Sequence, residues 1–313
     1  MASDTGSLSP KRRADTEQEG SRALHRIVVA IDLGEHSGKA LARGCRIAAQ
    51  RGASLRIIHA APGPLDLSEQ AALRVDIRKQ VHQIAERLSD PEIDFSLHIP
   101  EGRPEEAIAQ EAERIGADLV IVGGHGEPRF RDAIFGITAS HVLQRLAVPL
   151  LVAQGENAGD YKRVMAASDD AAFAADLVRV ASQIAPGADM HVVQAVNPRG
   201  LALFESDAAI AKRRHGREHA LQQTLAAALA SEPVAEHLFT SVEEGDPMAV
   251  IEHCSDRLRP DLIAMGTHGC MGMERLIQDS FAEYMLLWAS FDVLIVPVGL
   301  PSDHPTGTRS EAA

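Results

Sequence analysis

The chain has 313 residues, a length that suggests about two domains, and 45% of them are hydrophobic, enough for each domain to bury an aliphatic core. Its formal net charge of −13 at pH 7 disfavours binding to nucleic acid or to an anionic membrane surface. Because no apolar run reaches the ~18 residues of a membrane-spanning helix and the polar N-terminus lacks a signal peptide, we expect a cytoplasmic protein.

The first half of the chain alternates apolar strand patterns with amphipathic helix patterns. Residues 1–24 are polar and predict a disordered tail. Five strands are predicted, at 26–32, 55–60, 95–99, 118–122 and 150–153. Helices are predicted at 37–50, at 73–88 and from 104 through 108. This alternation indicates an α/β fold with a parallel, doubly wound sheet.

The second half repeats the first. Residues 163–169 match residues 26–32, residues 190–196 predict the second strand, and Gly245 and Pro247 match Gly102 and Pro104. A helix predicted over 207–229 contains a basic cluster of Lys212, Arg213, Arg214, His215 and Arg217. This cluster is either the solvated face of the helix or a contact for an acidic partner or an anionic ligand. The duplication predicts domains at 25–155 and 161–299, followed by a polar tail at 300–313.

The two halves are most similar at a glycine-rich stretch that follows an apolar strand. The aligned residues are Asp118 with Asp261, Gly123 with Gly266, His125 with His268 and Gly126 with Gly269. Each copy therefore has a Gly-x-x-Gly loop between a strand and a helix. Such turns are where α/β proteins place phosphates, because backbone N–H groups at the start of the helix point at the anion.

Together these features resemble the universal stress protein family. The shared features are a first strand that ends in aspartate, a Gly-x-Pro pair, and a Gly-x-x-Gly loop with a further glycine ten residues on. The resemblance covers about residues 25–298 and points to the tandem-domain members of the family. It implies two five-stranded parallel domains, Rossmann-like and adenine nucleotide alpha hydrolase-like, that form an internal pseudo-dimer through strands 150–153 and 293–298. Pro297 suggests that the last strand is an edge that stops early.

The resemblance also implies a site for an adenine nucleotide, ATP with or without Mg²⁺, in each domain. In the first domain it comprises Asp32 near the nucleoside and the residues Val122, Gly123, His125, Gly126, Gly136, Ile137 and Thr138. In the second domain it comprises Asp169, Gly266, His268, Gly269 and Ser280, with Asp279 in place of the last glycine of the family motif.

The departures from the family motif differ in their cost. Ile137 replaces a hydroxyl residue, and one lost hydrogen bond costs about 0.5–1.5 kcal/mol. Asp279 places a carboxylate beside the phosphates, and one like-charge pair at ~4 Å costs about 4 kcal/mol. We therefore expect the first domain to bind nucleotide and the second to be degenerate.

Simpler interpretations of the same residues stay open. The glycines also suit tight turns without a ligand, Asp32 and Asp169 also suit helix caps, and the loop histidines also suit a role in holding the loops in shape. The histidines His59 and His98 align with Gln194 and Ser241, so no metal-ligand set repeats. No Ser/His/Asp spacing and no Walker-type Gly-Lys-Ser/Thr sequence occurs, so no catalytic residue is predicted.

Three hypotheses follow from the sequence. The first is a cytosolic stress-response protein that binds an adenine nucleotide in its first domain and acts as a sensor or regulator through an unidentified protein partner. The second is a nucleotide-free interaction or scaffold module with both sites degenerate. The third is an enzyme, a slow ATPase or a nucleotidyl transferase.

Overall fold

The structure is a computed structural model that describes residues 24–32, 37–61, 63–89, 92–124, 142–143, 145–155, 159–196, 206–266 and 291–297. Its first half contains β1 (Arg26–Ala30), α1 (Ser37–Arg51), β2 (Ser54–Ile58), α2 (Leu67–Leu88), β3 (Phe95–His98), α3 (Pro104–Ile115), β4 (Leu119–Gly123) and β5 (Leu150–Ala153). Its second half contains β6 (Arg163–Ala167), α4 (Ala171–Ile184), β7 (Asp189–Val196), α5 (Asp207–Ala228), a 3-10 helix (Pro233–His237), β8 (Leu238–Glu244), α6 (Pro247–Leu258), β9 (Leu262–Gly266) and β10 (Asp292–Val296). Of the predicted tails at 1–24 and 300–313, all residues but Leu24 lie outside the described residues.

The strands of the described residues form one ten-stranded sheet in the order β3-β2-β1-β4-β5-β10-β9-β6-β7-β8. Neighbouring strands are parallel within each half. The halves meet where β5 pairs antiparallel with β10, with Leu151 opposite Leu294. The predicted parallel α/β fold and its internal pseudo-dimer are therefore confirmed. The predicted edge at Pro297 is wrong, because β10 lies in the middle of the sheet and ends at Val296.

Two clusters of buried aliphatic side chains cover the two faces of the sheet. Ile27 and Val29 belong to one cluster, and Val28 between them belongs to the other, as the alternation of a strand requires. Each cluster contains side chains from both halves of the chain. The two halves therefore share the apolar cluster on each face of the sheet.

The aligned pair Asp118 and Asp261 has the same structural role in both halves. The Oδ2 atom of Asp118 accepts hydrogen bonds from the backbone N–H groups of residues 25 and 26, both at 2.9 Å. The Oδ2 atom of Asp261 accepts from those of residues 162 and 163, at 2.8 and 3.0 Å. Each carboxylate thus satisfies backbone donors at the start of the first strand of its half, so this match in sequence reflects folding rather than ligand binding.

Helix boundaries differ from the predicted ones where local hydrogen bonds set them. Helix α2 begins at Leu67 instead of residue 73 because Asp66 and Glu69 form a capping box, each side chain accepting from the backbone N–H of the other. Helix α3 continues past residue 108 to Ile115, and Gly116 ends it at a φ of 60°. None of the helices in the described ranges is long and apolar enough to cross a membrane.

Candidate functional site

The strand order reverses once in each half, and we call the space beyond the strand ends at each reversal a crevice. Strand β1 lies between β2 and β4, and β6 lies between β7 and β9. In an open parallel sheet, ligands bind outside the carboxyl ends of the strands at this point, because the connections leave it toward opposite faces. The first crevice therefore lies at the ends of β1 and β4, and the second lies at the ends of β6 and β9.

The structure brings the described residues of the first predicted site to the first crevice. Asp32 follows β1, and Val122 and Gly123 are the last two residues of β4. Strands β1 and β4 are hydrogen-bonded neighbours, so these ends adjoin. Val122 is buried, whereas Asp32 is exposed. The other residues predicted for this site lie outside the described residues: His125, Gly126, Gly136, Ile137 and Thr138.

Two further side chains reach the edge of the first crevice. Lys39, the third residue of α1, donates from Nζ to the backbone oxygen of Gln154 at 3.0 Å, directly after β5. The Nδ1 atom of His59, directly after β2, lies 3.0 Å from the backbone oxygen of Ile31. The sequence analysis predicted neither residue as a ligand contact. The available sequence signal was weak: Lys39 is near the start of a predicted helix, and His59 is near the end of a predicted strand. The crevice thus combines a cation, the start of a helix and a glycine strand end, a combination suited to an anion.

A phenylalanine ring occupies the matching position of the second crevice. Phe173, the third residue of α4, packs its ring directly on Gly266 at the end of β9. A Cβ atom at Gly266 would lie 2.8 Å from Cζ of the ring and still closer to Cε1. This glycine therefore makes room for an aromatic side chain of the protein itself. No local sequence pattern indicates this contact, because Phe173 and Gly266 are far apart along the chain.

The start of α4 is already satisfied by a carboxylate of the chain. Asp170 is its N-cap, and Oδ1 accepts from the N–H groups of Ala172 and Phe173 at 2.7 and 3.0 Å. The interpretation of Asp169 as a helix cap is therefore wrong. The same interpretation of Asp32 stays a prediction, because residues 33–36 before α1 lie outside the described residues. A phosphate at the start of α4 would face the negative charge of Asp170.

Asp169 lies beyond the end of β6, as Asp32 lies beyond the end of β1. Its backbone oxygen accepts from Nε2 of Gln194 at 2.6 Å, whereas His59, the residue aligned with Gln194, contacts the oxygen of Ile31, one position earlier in the aligned segment. The remaining residues of the second predicted site, His268, Gly269 and Ser280, lie outside the described residues, as does Asp279. In each half, a side chain from the second strand or its end thus contacts the backbone just beyond the first strand.

A buried polar cluster joins the two halves beside the first crevice. The Oδ1 atom of Asp292 accepts from the backbone N–H groups of Gln154 and Gly155, at 2.9 and 2.7 Å. Its Oδ2 atom accepts from the hydroxyl of Tyr161 at 2.5 Å and lies 2.9 Å from Nε of Arg43. Burial, and then the nearby charge of Asp292, raise the pKa of Tyr161 well above its usual range. We call these residues the junction cluster.

The described residues contain no group of three His, Cys, Asp or Glu side chains placed to hold a metal ion. Cys45 and Cys254 are buried free thiols, and burial raises the pKa of Cys45 to about 12. A thiol with so high a pKa is protonated at neutral pH and is a poor nucleophile.

Known proteins resemble the chain over nearly its whole length. The Universal stress protein family model matches it twice, at residues 23–154 and 160–297. Universal stress protein E of Escherichia coli K12 is 23% identical over 252 residues, 74% of this chain and 78% of that protein. The stress response protein NhaX of Bacillus subtilis is 24% identical over 159 residues, 41% of this chain and 96% of that protein. The crystal structure of a universal stress protein from Archaeoglobus fulgidus has the same fold, with a TM-score of 0.60 at 17% identity, over 87% of this chain and 96% of that one.

Proposed function

This chain belongs to the universal stress protein family, and we propose that it is a cytoplasmic stress-response regulator that binds an adenine nucleotide in its first half. The nucleotide is ATP, with or without Mg²⁺, and it occupies the crevice at the ends of β1 and β4. The second half retains the fold but binds no nucleotide. The protein acts by changing its conformation or its contact with a partner rather than by catalysis.

The observation that carries this proposal is the difference between the two crevices. At the third position of the first helix, the first half has Lys39 and the second half has Phe173. A lysine ammonium group attracts phosphate, whereas the ring of Phe173 takes up space against Gly266. The Asp170 cap adds a negative charge at the same place in the second half. Both effects oppose nucleotide binding in the second half, as the carboxylate of Asp279 is also predicted to do.

The chemistry of the first crevice suits the parts of a nucleotide. Asp32 lies beside the strand end at which the family resemblance places the nucleoside, and a carboxylate there can accept from ribose hydroxyls. Gly123 ends β4 without a side chain, so the backbone that follows can approach phosphate oxygens closely. Lys39 supplies positive charge on the α1 side of the same crevice.

The experiment is to purify the protein without added nucleotide, denature it and identify what is released by chromatography. We expect ATP or AMP at about one equivalent per chain, together with a raised melting temperature on adding Mg-ATP. The variants Asp32→Asn and Gly126→Asp should lose both effects, as should Lys39→Ala in part. Their counterparts in the second half, Asp169→Asn and Gly269→Asp, are the matched controls and should keep both.

The second candidate function is a nucleotide-free interaction module, which the packing of Phe173 on Gly266 favours, since the ring takes up space beside the strand end where a ligand would bind. Release of no nucleotide, together with an unchanged melting temperature in Mg-ATP, would reject our proposal and leave the interaction module standing. Equal loss of binding in the Asp32 and Asp169 variants would also reject the assignment of the site to the first half.

A further inference from the structure

We propose that the outer edge of β3 and the neighbouring side of α2 form a docking surface for an extended acidic segment of a partner protein, bound as an added strand. We call it the β3 edge surface. It surrounds a cavity of about 240 Å³ that is lined by Arg74, Arg78, His82, Phe95, Ser96 and Leu97. The inference does not rest on nucleotide binding, which concerns the carboxyl ends of β1 and β4 in the interior of the sheet.

Strand β3 ends the sheet, with β2 on one side and no further strand of the described residues on the other. The N–H groups of Leu55 and His59 bond to the backbone oxygens of Asp94 and His98, so even-numbered residues of β3 face β2. The backbone groups of Phe95 and Leu97 therefore point outward. Outward N–H and C=O groups on an edge strand are a template for another strand.

The charge of the surface opposes that of the whole protein. Arg74, Arg78 and His82 follow each other at every fourth position, so they form a row along one side of α2. Arg74 reaches the edge strand itself, with NH1 at 3.4 Å from the backbone oxygen of Leu97. At the other end of the row, the ring of His82 packs edge-on against Phe95, with centroids 6.2 Å apart. In a chain of net charge −13, this row is a local site for carboxylates.

The spacing of the row fits an extended chain. Residues four apart on a helix are about 6 Å apart along its axis, and alternate residues of a strand are about 6.6 Å apart. An added strand could therefore place acidic side chains at alternate positions opposite Arg74, Arg78 and His82. Leu67 and Val75 lie on the same side of α2 and are 86% and 67% exposed, so they offer apolar contacts beside the basic row.

Other occupants fit less well. A second copy of this edge would bring its own arginines against these, and like charges repel. The net charge of the protein opposes nucleic acid at long range.

At the opposite end of the sheet, side chains of α5 contact side chains of the edge strand β8. Nε2 of Gln222 donates to Oγ1 of Thr240 at 3.0 Å, and Arg213 pairs with Glu244 at 3.0 Å. Arg213 of the basic cluster on α5 is therefore already paired with a carboxylate of the protein.

The test uses a fluorescein-labelled peptide of about eight residues in which glutamate and valine alternate, with the full-length protein and fluorescence anisotropy. We expect saturable binding, weakened at least about tenfold by Arg74→Glu with Arg78→Glu. The control Arg214→Glu with Arg217→Glu makes the same change of charge on exposed residues of α5 and should leave binding unchanged. A peptide in which lysine replaces glutamate should not bind.

Strand addition has its own readout. Methylation of alternate peptide nitrogens removes the backbone donors of the added strand while keeping its charge, and it should abolish binding. Binding that survives this methylation would reject the added strand. No binding of the glutamate peptide, or equal loss in the α2 and α5 variants, would overturn the proposal, as would tighter binding of a short single-stranded DNA at the same arginines.

Discussion

Asp292 offers a direct test of how the two halves are held together. Its carboxylate is 2% exposed, and its ion-pair partner Arg43 is 5% exposed. Replacing Asp292 by asparagine keeps the shape of the side chain and leaves an amide oxygen that can accept from the N–H groups of Gln154 and Gly155. It removes the negative charge that faces Arg43, and it turns an amide N–H₂ group toward either the guanidinium or the hydroxyl of Tyr161.

The expected effect is large because the change removes the buried carboxylate that pairs with the buried guanidinium of Arg43. Breaking a buried ion pair by removing one partner typically costs about 3–5 kcal/mol. The guanidinium of Arg43 keeps its contact with the ring of Tyr161, 3.9 Å from the centroid, and its hydrogen bond to the backbone oxygen of Gly159. These contacts retain part of the stabilisation, so we expect a loss near the lower end of that range, about 3 kcal/mol.

The assay is urea denaturation at pH 7 followed by circular dichroism. The matched control is Asp160→Asn, which breaks the ion pair of Asp160 with Arg46 in the same region. The side chain of Asp160 is 61% exposed, and that of Arg46 is 25% exposed. An exposed pair of this kind is worth about 0–1 kcal/mol. Adding Arg43→Met to Asp292→Asn should recover part of the lost stability, because it removes the stranded charge. Equal free energies of unfolding for Asp292→Asn and Asp160→Asn, within about 1 kcal/mol, would refute this account of the junction cluster.

Two further predictions test the second crevice and the pH dependence of stability. Gly266→Ala should lower the melting temperature because its methyl group would overlap the ring of Phe173, and Phe173→Leu should restore part of the loss; an unchanged melting temperature in Gly266→Ala would contradict the packing. The hydrogen bonds from Arg114 hold the pKa of the buried Glu111 below its ordinary value of 4.5. The ion pairs of Glu111 therefore stabilise the protein at pH values above 4.5, and this stabilisation is lost as the pH falls through the lowered pKa. Glu111→Gln should therefore be less stable than wild type at neutral pH and should lose less stability on acidification below pH 4.5, as measured by urea denaturation between pH 3 and 7.

The order of helices and strands could be predicted because each has its own apolar periodicity and both recur in the second half. The start of α2 was missed, since the apolar pattern begins at residue 73 whereas the capping box of Asp66 and Glu69 begins the helix at Leu67. The packing of Phe173 on Gly266 and the role of Asp292 in the junction cluster could not be predicted. Each depends on contacts with residues far away in the sequence, and neither belongs to a local motif.

Helix α1 links the first crevice to the junction cluster. Lys39, near the start of α1, donates to the backbone oxygen of Gln154. The backbone N–H of Gln154 in turn donates to Asp292. Arg43, one turn further along α1, pairs with Asp292 from the other side. Phosphates bound as proposed would compete with the oxygen of Gln154 for the ammonium group of Lys39. A nucleotide would then change the contacts of a residue that also belongs to the junction between the halves, which is the kind of coupling that a sensor requires.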